Sequence, residues 1–271
     1  MKKKGLFTII VVVLLIAFGV SAFKVGSYLL EGKKAEDRYN QLSDIKANAQ
    51  TTPTVPTAAA TTGATEPSAT TVPTAPTEPK ILAEYEELYE MNSDLVGWIK
   101  IEGTKVDYPV MQTPNDVDYY LHRDFDKANS DRGAIYAREV CDVNKPSDNV
   151  TIYGHHMKDG SMFAGLNAYV NKSAWENNSL IFFDTLTEYH IYKIFAVFAT
   201  SANIGEGFSY HQFVDAETEE EFDEFVATCK QLAYYDTGIT PKYGDKLICL
   251  STCEYTHGDN GRLVVAAYRI T

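Results

Sequence analysis

Leu247-Ile248-Cys249-Leu250-Ser251-Thr252-Cys253, then a polar stretch over 254–261, then Arg262-Leu263-Val264-Val265-Ala266-Ala267-Tyr268-Arg269-Ile270 is the most informative part of the chain. Two apolar segments around a loop containing Gly, Asp and Asn are the sequence form of a β-hairpin. Cys253 ends the first strand and Arg262 begins the second. Antiparallel pairing sets these positions opposite each other, so a thiol and a permanent cation become neighbours. A nearby cation favours the nucleophilic thiolate, and the guanidinium fork of N–H donors can also hold a developing oxyanion. Spacing alone is also met by an ordinary buried cysteine beside a surface arginine, the commoner arrangement.

A second candidate lies upstream, in Asn149-Val150-Thr151-Ile152-Tyr153-Gly154-His155-His156-Met157. A strand ends at Gly154 and a histidine follows at once, next to a residue that lets another backbone approach. A histidine in a turn is more often simply solvated. His122, His190 and His211 have no reactive neighbours in sequence, while His257 lies in the Cys253–Arg262 loop.

Further out, short extended runs punctuated by Gly, Pro and Asp predict strands at Val96–Ile101, Val106–Met111, Gly133–Ala137, Leu180–Asp184 and Glu188–Ala199. With the three already quoted, they describe a mainly β domain, a barrel or sandwich. An amphipathic helix opens it, with Ile81, Leu82, Tyr85, Leu88 and Tyr89 at helical spacing. A long helix is predicted over Ala216–Tyr235. Thr218 and Glu221 have capping-box spacing, and Phe222, Phe225, Val226, Cys229 and Leu232 share one face. A shorter helix is expected around Met162–Tyr169.

The chain has 271 residues and a formal net charge of −13, with no basic stripe in its globular part. That argues against a nucleic-acid partner, whose phosphates call for clustered Lys and Arg. Residues 1–4 carry three lysines and read as a cytoplasmic tail. Residues 5–23 form an uncharged apolar run of membrane-spanning length. Val20-Ser21-Ala22 would also suit a signal-peptide cleavage. The run exceeds the usual signal core of about 7–15 residues, which favours an uncleaved transmembrane signal anchor in the cell membrane. Residues 24–80 are a polar juxtamembrane segment, with a short helix, and then a stalk: Thr51–Lys80 holds 11 Thr and 6 Pro and no aromatic residue. Such a segment buries no core and favours extended conformations. A chain beginning near Ile81 is therefore expected to fold by itself, with 81–271 as one extracellular domain. Of the four cysteines, Cys229 and Cys249 fall on apolar faces and read as buried hydrophobes. Cys141 suits either a free thiol or a disulfide.

Tyr153-Gly154-His155-His156-Met157-Lys158-Asp159-Gly160-Ser161-Met162-Phe163, followed by Leu250-Ser251-Thr252-Cys253 and Arg262, resembles a class B sortase. The similarity takes in Gly97–Val110, Asp118-Tyr119-Tyr120-Leu121 and Arg132–Tyr136, and so most of 81–271. It implies an eight-stranded sortase-type β-barrel with an N-terminal helix and a long helix inserted before the cysteine strand. It implies a cysteine transpeptidase without cofactor or metal. Such an enzyme cleaves a sorting motif near the C-terminus of secreted proteins and joins the acyl-enzyme to an amine of a peptidoglycan precursor or a pilin lysine. By position, Cys253 is the nucleophile, His155 the general acid and Arg262 the oxyanion and substrate ligand. Leu121, Ser251 and Glu254 become substrate contacts. Two positions depart from the family pattern: Cys249 stands where a Thr is expected, and Val117 where class B members often carry Asn.

Three other readings compete. A cysteine peptidase would pass the same thioester to water. A catalytically dead adhesion domain would not need Cys253, His155 and Arg262 together. A zinc module could draw on Cys249, Cys253, His257 and His155, but four residues of strand separate the two thiols by about 13 Å.

Overall fold

The computed structural model describes residues 2–51, 80–201, 203, 205–253 and 260–271. Of the expected Pro/Thr-rich stalk, Thr51–Lys80, residues 52–79 lie outside the described residues. The chain divides into two compact units, 1–44 and 45–271.

The first helix, α1, runs without a break over Lys2–Thr51. The helix thus continues well beyond residue 23, where only a short helix is expected from the sequence. The segment is nevertheless rich in Ala, Glu, Lys and Gln, which are strong helix formers, and has no proline before Pro53. Phe7–Ala49 includes an apolar window long enough to cross a membrane, and none of that window is buried.

The second unit is a closed eight-stranded barrel in the order β1-β2-β3-β4-β7-β8-β6-β5. Its strands are β1 (Leu95–Lys100), β2 (Asp107–Met111), β3 (Ile135–Ala137), β4 (Asn149–Tyr153), β5 (Leu180–Thr185), β6 (Ile191–Ser201), β7 (Leu247–Cys253) and β8 (Gly261–Arg269). All pairs are antiparallel except β2–β3 and β4–β7, which are parallel. Helix α2 (Ala83–Met91) precedes the barrel, and α3 (Lys172–Asn177) follows a 3-10 stretch over Phe163–Val170. Helix α4 (Glu219–Leu232) lies between β6 and β7. It is shorter than predicted because Thr218 and Ala233 are both extended. The Thr218 side chain caps it by accepting from the Glu221 N–H at 3.2 Å.

Strand β7 is buried along its whole length up to a half-buried Cys253. It sits between β4 and β8, and helix α4 covers part of its outer face. Phe222, Phe225, Val226 and Cys229 of α4 form one apolar cluster with Leu247 and Cys249 of β7, Val264 and Ala266 of β8, and Phe195 and Phe198 of β6. Leu232, expected on this face, is exposed instead, because the helix ends there.

Lys46 belongs to the barrel unit. Its Nζ lies 3.5 Å from Asp184 Oδ2 and 4.9 and 5.2 Å from the ring centroids of Trp98 and Tyr85. The Tyr85 hydroxyl donates to the same Asp184 oxygen at 2.8 Å. Burial lowers the Lys46 pKa while Asp184 pulls it back up. Such a half-buried cation between two rings and a carboxylate contributes about 1 kcal/mol. A chain beginning at Ile45 is therefore expected to unfold about 2–4 °C above one beginning at Ile81 in scanning calorimetry. Equal midpoints would show that Lys46 contributes nothing.

Candidate active site

The outer face of β7 has two halves. Alternate residues share a face of a strand, so Leu247, Cys249, Ser251 and Cys253 point the same way. The first two lie under α4, while Ser251 and Cys253 line an open groove. The register of β7 and β8 places Cys253 opposite Arg262, Ser251 opposite Val264 and Cys249 opposite Ala266. Arg262 is in turn opposite Thr200 of β6. Arg262 therefore lines the same groove as Cys253. One of its Nη1–H groups donates to the Gly261 carbonyl at 3.0 Å. The β7–β8 register is unbroken from Leu247 to Cys253, so Cys249 and Cys253 remain about 13 Å apart along the strand.

His155 arrives from the other side. Strand β4 runs parallel to β7 with Tyr153 level with Ser251, and the Gly154 N–H donates to the Ser251 carbonyl at 3.1 Å. Gly154 is required for contact with side chains rather than backbone. A Cβ there would fall 2.5 Å from Ile135 Cδ1 and 2.7 Å from the Phe163 ring. The two adjacent histidines then diverge. His156 Nδ1 lies 3.1 Å from the Cys253 carbonyl oxygen, and His155 Nε2 lies 2.8 Å from that of Leu121. A carbonyl can only accept, so each of these ring nitrogens carries its proton. That leaves Nδ1 of His155 as the nitrogen able to take up or hand on a proton.

The groove has a volume of about 340 Å³, within the range of about 300–1,000 Å³ seen for ligand sites. Val117, Leu121, Tyr153 and Tyr210 form apolar wall, and Arg138, Glu139 and Asp118 supply charge. Of the expected substrate contacts, Leu121 and Ser251 line the groove. Ser251 is fully buried, and its hydroxyl lies 2.5 Å from that of Tyr210. Glu254 lies outside the described residues, as does His257.

His122, set aside above for want of reactive neighbours in sequence, stands near the site, and Tyr136, Arg138, Tyr153 and Tyr210 line the groove without having been site candidates. The His122 ring stands 5.9 Å from that of His155, and the Arg138 guanidinium donates to the His211 carbonyl. Arg138 does stand two residues from Tyr136 in the quoted Arg132–Tyr136 region, a period-two signal that marks both for one face. Among the described residues no group of three or more His, Cys, Asp or Glu is arranged to hold a metal ion. Cys141, Cys229 and Cys249 are free and buried, and burial pushes all three thiols up.

Several known proteins share this architecture. The family model of the sortase domain matches residues 99–270. Sortase B of Listeria monocytogenes is 34% identical over 191 residues, 69% of this chain and 74% of that protein. Sortase B of Staphylococcus aureus is 23% identical over 270 residues, 100% of this chain and 98% of that protein. A structure of the Staphylococcus aureus sortase B–substrate complex superposes with a TM-score of 0.71 at 24% identity, covering 89% of this chain and 99% of that one. A closed eight-stranded barrel with these relatives defines the class: the chain belongs to the sortase family of cysteine transpeptidases. Its relatives are class B sortases, and the long helix before the cysteine strand is α4.

The loop carrying His155 is clamped at its far end. Arg132, which is buried, places Nη1 2.6 Å from Asp159 Oδ2 and 2.9 Å from Ser161 Oγ. Burial raises the Asp159 pKa, but hydrogen bonds from the Ser161 hydroxyl and N–H and from Arg132 outweigh it and hold the group below its usual range. A depressed folded-state pKa contributes stability above the unfolded value of about 3.9, which is lost as pH falls through the folded value. Asp159→Asn is therefore expected to lower the unfolding free energy at neutral pH by about 0.5–1 kcal/mol, allowing for partial exposure. The loss should shrink near pH 2.5. A loss independent of pH in urea titrations would show that the clamp is not ionic.

Proposed function

We propose that this chain is a membrane-anchored, cell-surface transpeptidase that cuts secreted proteins at a C-terminal sorting motif and transfers them to an amine. The observation that carries the reading is the cross-strand pairing of Cys253 with Arg262 at the uncovered end of β7, in a groove that His155 also lines. In this scheme Nδ1 of His155 takes the proton of the Cys253 thiol, and the thiolate attacks the carbonyl carbon of the scissile bond in the sorting motif. The new oxyanion is held by Arg262 N–H groups. As the C–N bond breaks, His155 gives its Nδ1 proton to the leaving amine, and a thioester remains on Cys253. An incoming amine of a peptidoglycan precursor or a pilin lysine, its proton taken by His155, then attacks the thioester. A new amide forms and the thiolate is released. Leu121 and Ser251 contact the substrate in the groove, and Glu254 is the third substrate contact that the resemblance implies.

The apolar part of α1 is the anchor, with Lys2–Lys4 on the cytoplasmic side and the barrel outside. A domain held at the surface meets secreted substrates there, which agrees with the acidic, non-nucleic-acid-binding composition.

A fluorogenic sorting-motif peptide with an amine acceptor tests the scheme. Cys253→Ala is expected to abolish turnover, and His155→Ala to lose far more kcat/KM than His156→Ala. Arg262→Lys keeps the charge but loses the planar fork, so kcat should fall about 10²–10³-fold, the usual cost of losing an oxyanion donor. Retained turnover in Cys253→Ala would sink the reading. Product carrying water in place of amine would make the chain a hydrolase.

A further inference from the structure

The acceptor that holds His155 is itself held, and the contacts form a closed circuit. Leu121 belongs to a 3-10 turn, Tyr119–His122, that begins after Asp118. Asp118 adopts the left-handed conformation, φ 57° and ψ 21°, which is uncommon for a residue other than glycine. Its backbone carbonyl accepts from the Leu121 N–H at 2.9 Å, and its side-chain Oδ1 accepts from the Tyr136 hydroxyl at 2.8 Å. Tyr136 lies in β3, directly opposite Tyr153 of β4, and its ring stands 5.3 Å from that of Tyr153. Two residues beyond Tyr153 is His155, whose Nε2–H returns to the Leu121 carbonyl.

The same turn is pressed against the entry to β3. The Ala134 N–H donates to the Tyr120 carbonyl at 3.0 Å. Gly133, at φ +57°, passes so close that a Cβ there would lie 2.5 Å from the Leu121 oxygen. The Leu121 carbonyl thus has little freedom to swing away. Burial, and then Asp118, push the Tyr136 pKa upward, so its hydroxyl remains a donor at any working pH.

We propose that Asp118 and Tyr136 are positioning residues for the transfer reaction: together they fix the Leu121 carbonyl, which locks His155 with its proton on Nε2 and Nδ1 turned to the reaction. The inference rests on the function proposed above for His155. It assigns to a backbone carbonyl the orienting part that a carboxylate plays in other nucleophile–histidine sites. An imidazole released from this acceptor would sample both tautomers, and misplacing a reacting group by about 1 Å costs up to about 100-fold in rate.

The test uses the full chain in detergent micelles, labelled with nitrogen-15 at its six histidines. The His155 signals are identified by their loss in His155→Gln. In a Cys253→Ala background, where no turnover is needed, the neutral His155 ring is expected to show the Nε2–H tautomer. Tyr136→Phe and Asp118→Ala should shift its nitrogens toward the average of the two tautomers. In the chain with Cys253 present, both variants should lose about tenfold in kcat with KM changed less than twofold. Asp118→Asn, which tolerates the left-handed backbone and keeps an acceptor oxygen, should recover most of the loss. Tyr136→Phe keeps its ring against Tyr153, so it decides the question even where Asp118→Ala does not fold. An Nδ1–H tautomer in the parent chain, or an unaltered tautomer and kcat in Tyr136→Phe, would overturn the proposal. If Cys253→Ala itself turned over, the proposed function would fall while the tautomer measurement still judged the positioning role.

Discussion

Everything in the site depends on the pairing of β7 with β8. Seven consecutive residue pairs, from Leu247 with Tyr268 to Cys253 with Arg262, are locked in one register. Because side chains alternate between faces, a slip of one residue would turn Cys253 toward the barrel interior and bring Leu263 opposite it. The apolar set Leu247, Cys249, Val264 and Ala266 makes that slip costly, since it must stay beneath Phe222, Phe225 and Val226 of α4. The helix that buries one half of the strip thus aligns the reactive pair in the other half. Packing energy spent far from the thiol defines where the thiol is.

The histidine side is organised differently. Strand β4 delivers His155 to the level of β7, but the direction of the ring is decided by short irregular segments. Those are the 3-10 turn at Tyr119–His122, the left-handed Asp118, and the loop through Asp159 to Ser161 that Arg132 clamps. Irregular backbone gives fewer repeated hydrogen bonds, so individual side chains take over the work of fixing it. Arg132 is a clear instance, a buried guanidinium with a carboxylate and a hydroxyl as partners.

This difference explains what could be read in advance. The strands β4, β7 and β8 and the apolar face of α4 follow from periodicity within single stretches, and their observed bounds lie within three residues of those expected. The cross-strand meeting of Cys253 and Arg262 follows from hairpin logic alone. The roles of Leu121's carbonyl and of Tyr136 do not, because they come from contacts between segments up to 34 residues apart in sequence. Helix α3 left no signal because none of its residues is buried. The C-terminal turns of α1 give no signal for a related reason: Lys46 reads as one more polar residue until Asp184, Trp98 and Tyr85 surround it.

The cysteines show what the covered and uncovered halves of one sheet face mean for thiol chemistry. Cys249 and Cys253 are four residues apart on the same face of the same strand, yet one is sealed under α4 and the other is half-buried at the groove. Cys141 and Cys229 are sealed too. A thiol-alkylating reagent therefore meets a single cysteine in the folded chain and four in the unfolded one. The ratio of labelled to total thiol becomes a built-in gauge of how much of a preparation is folded.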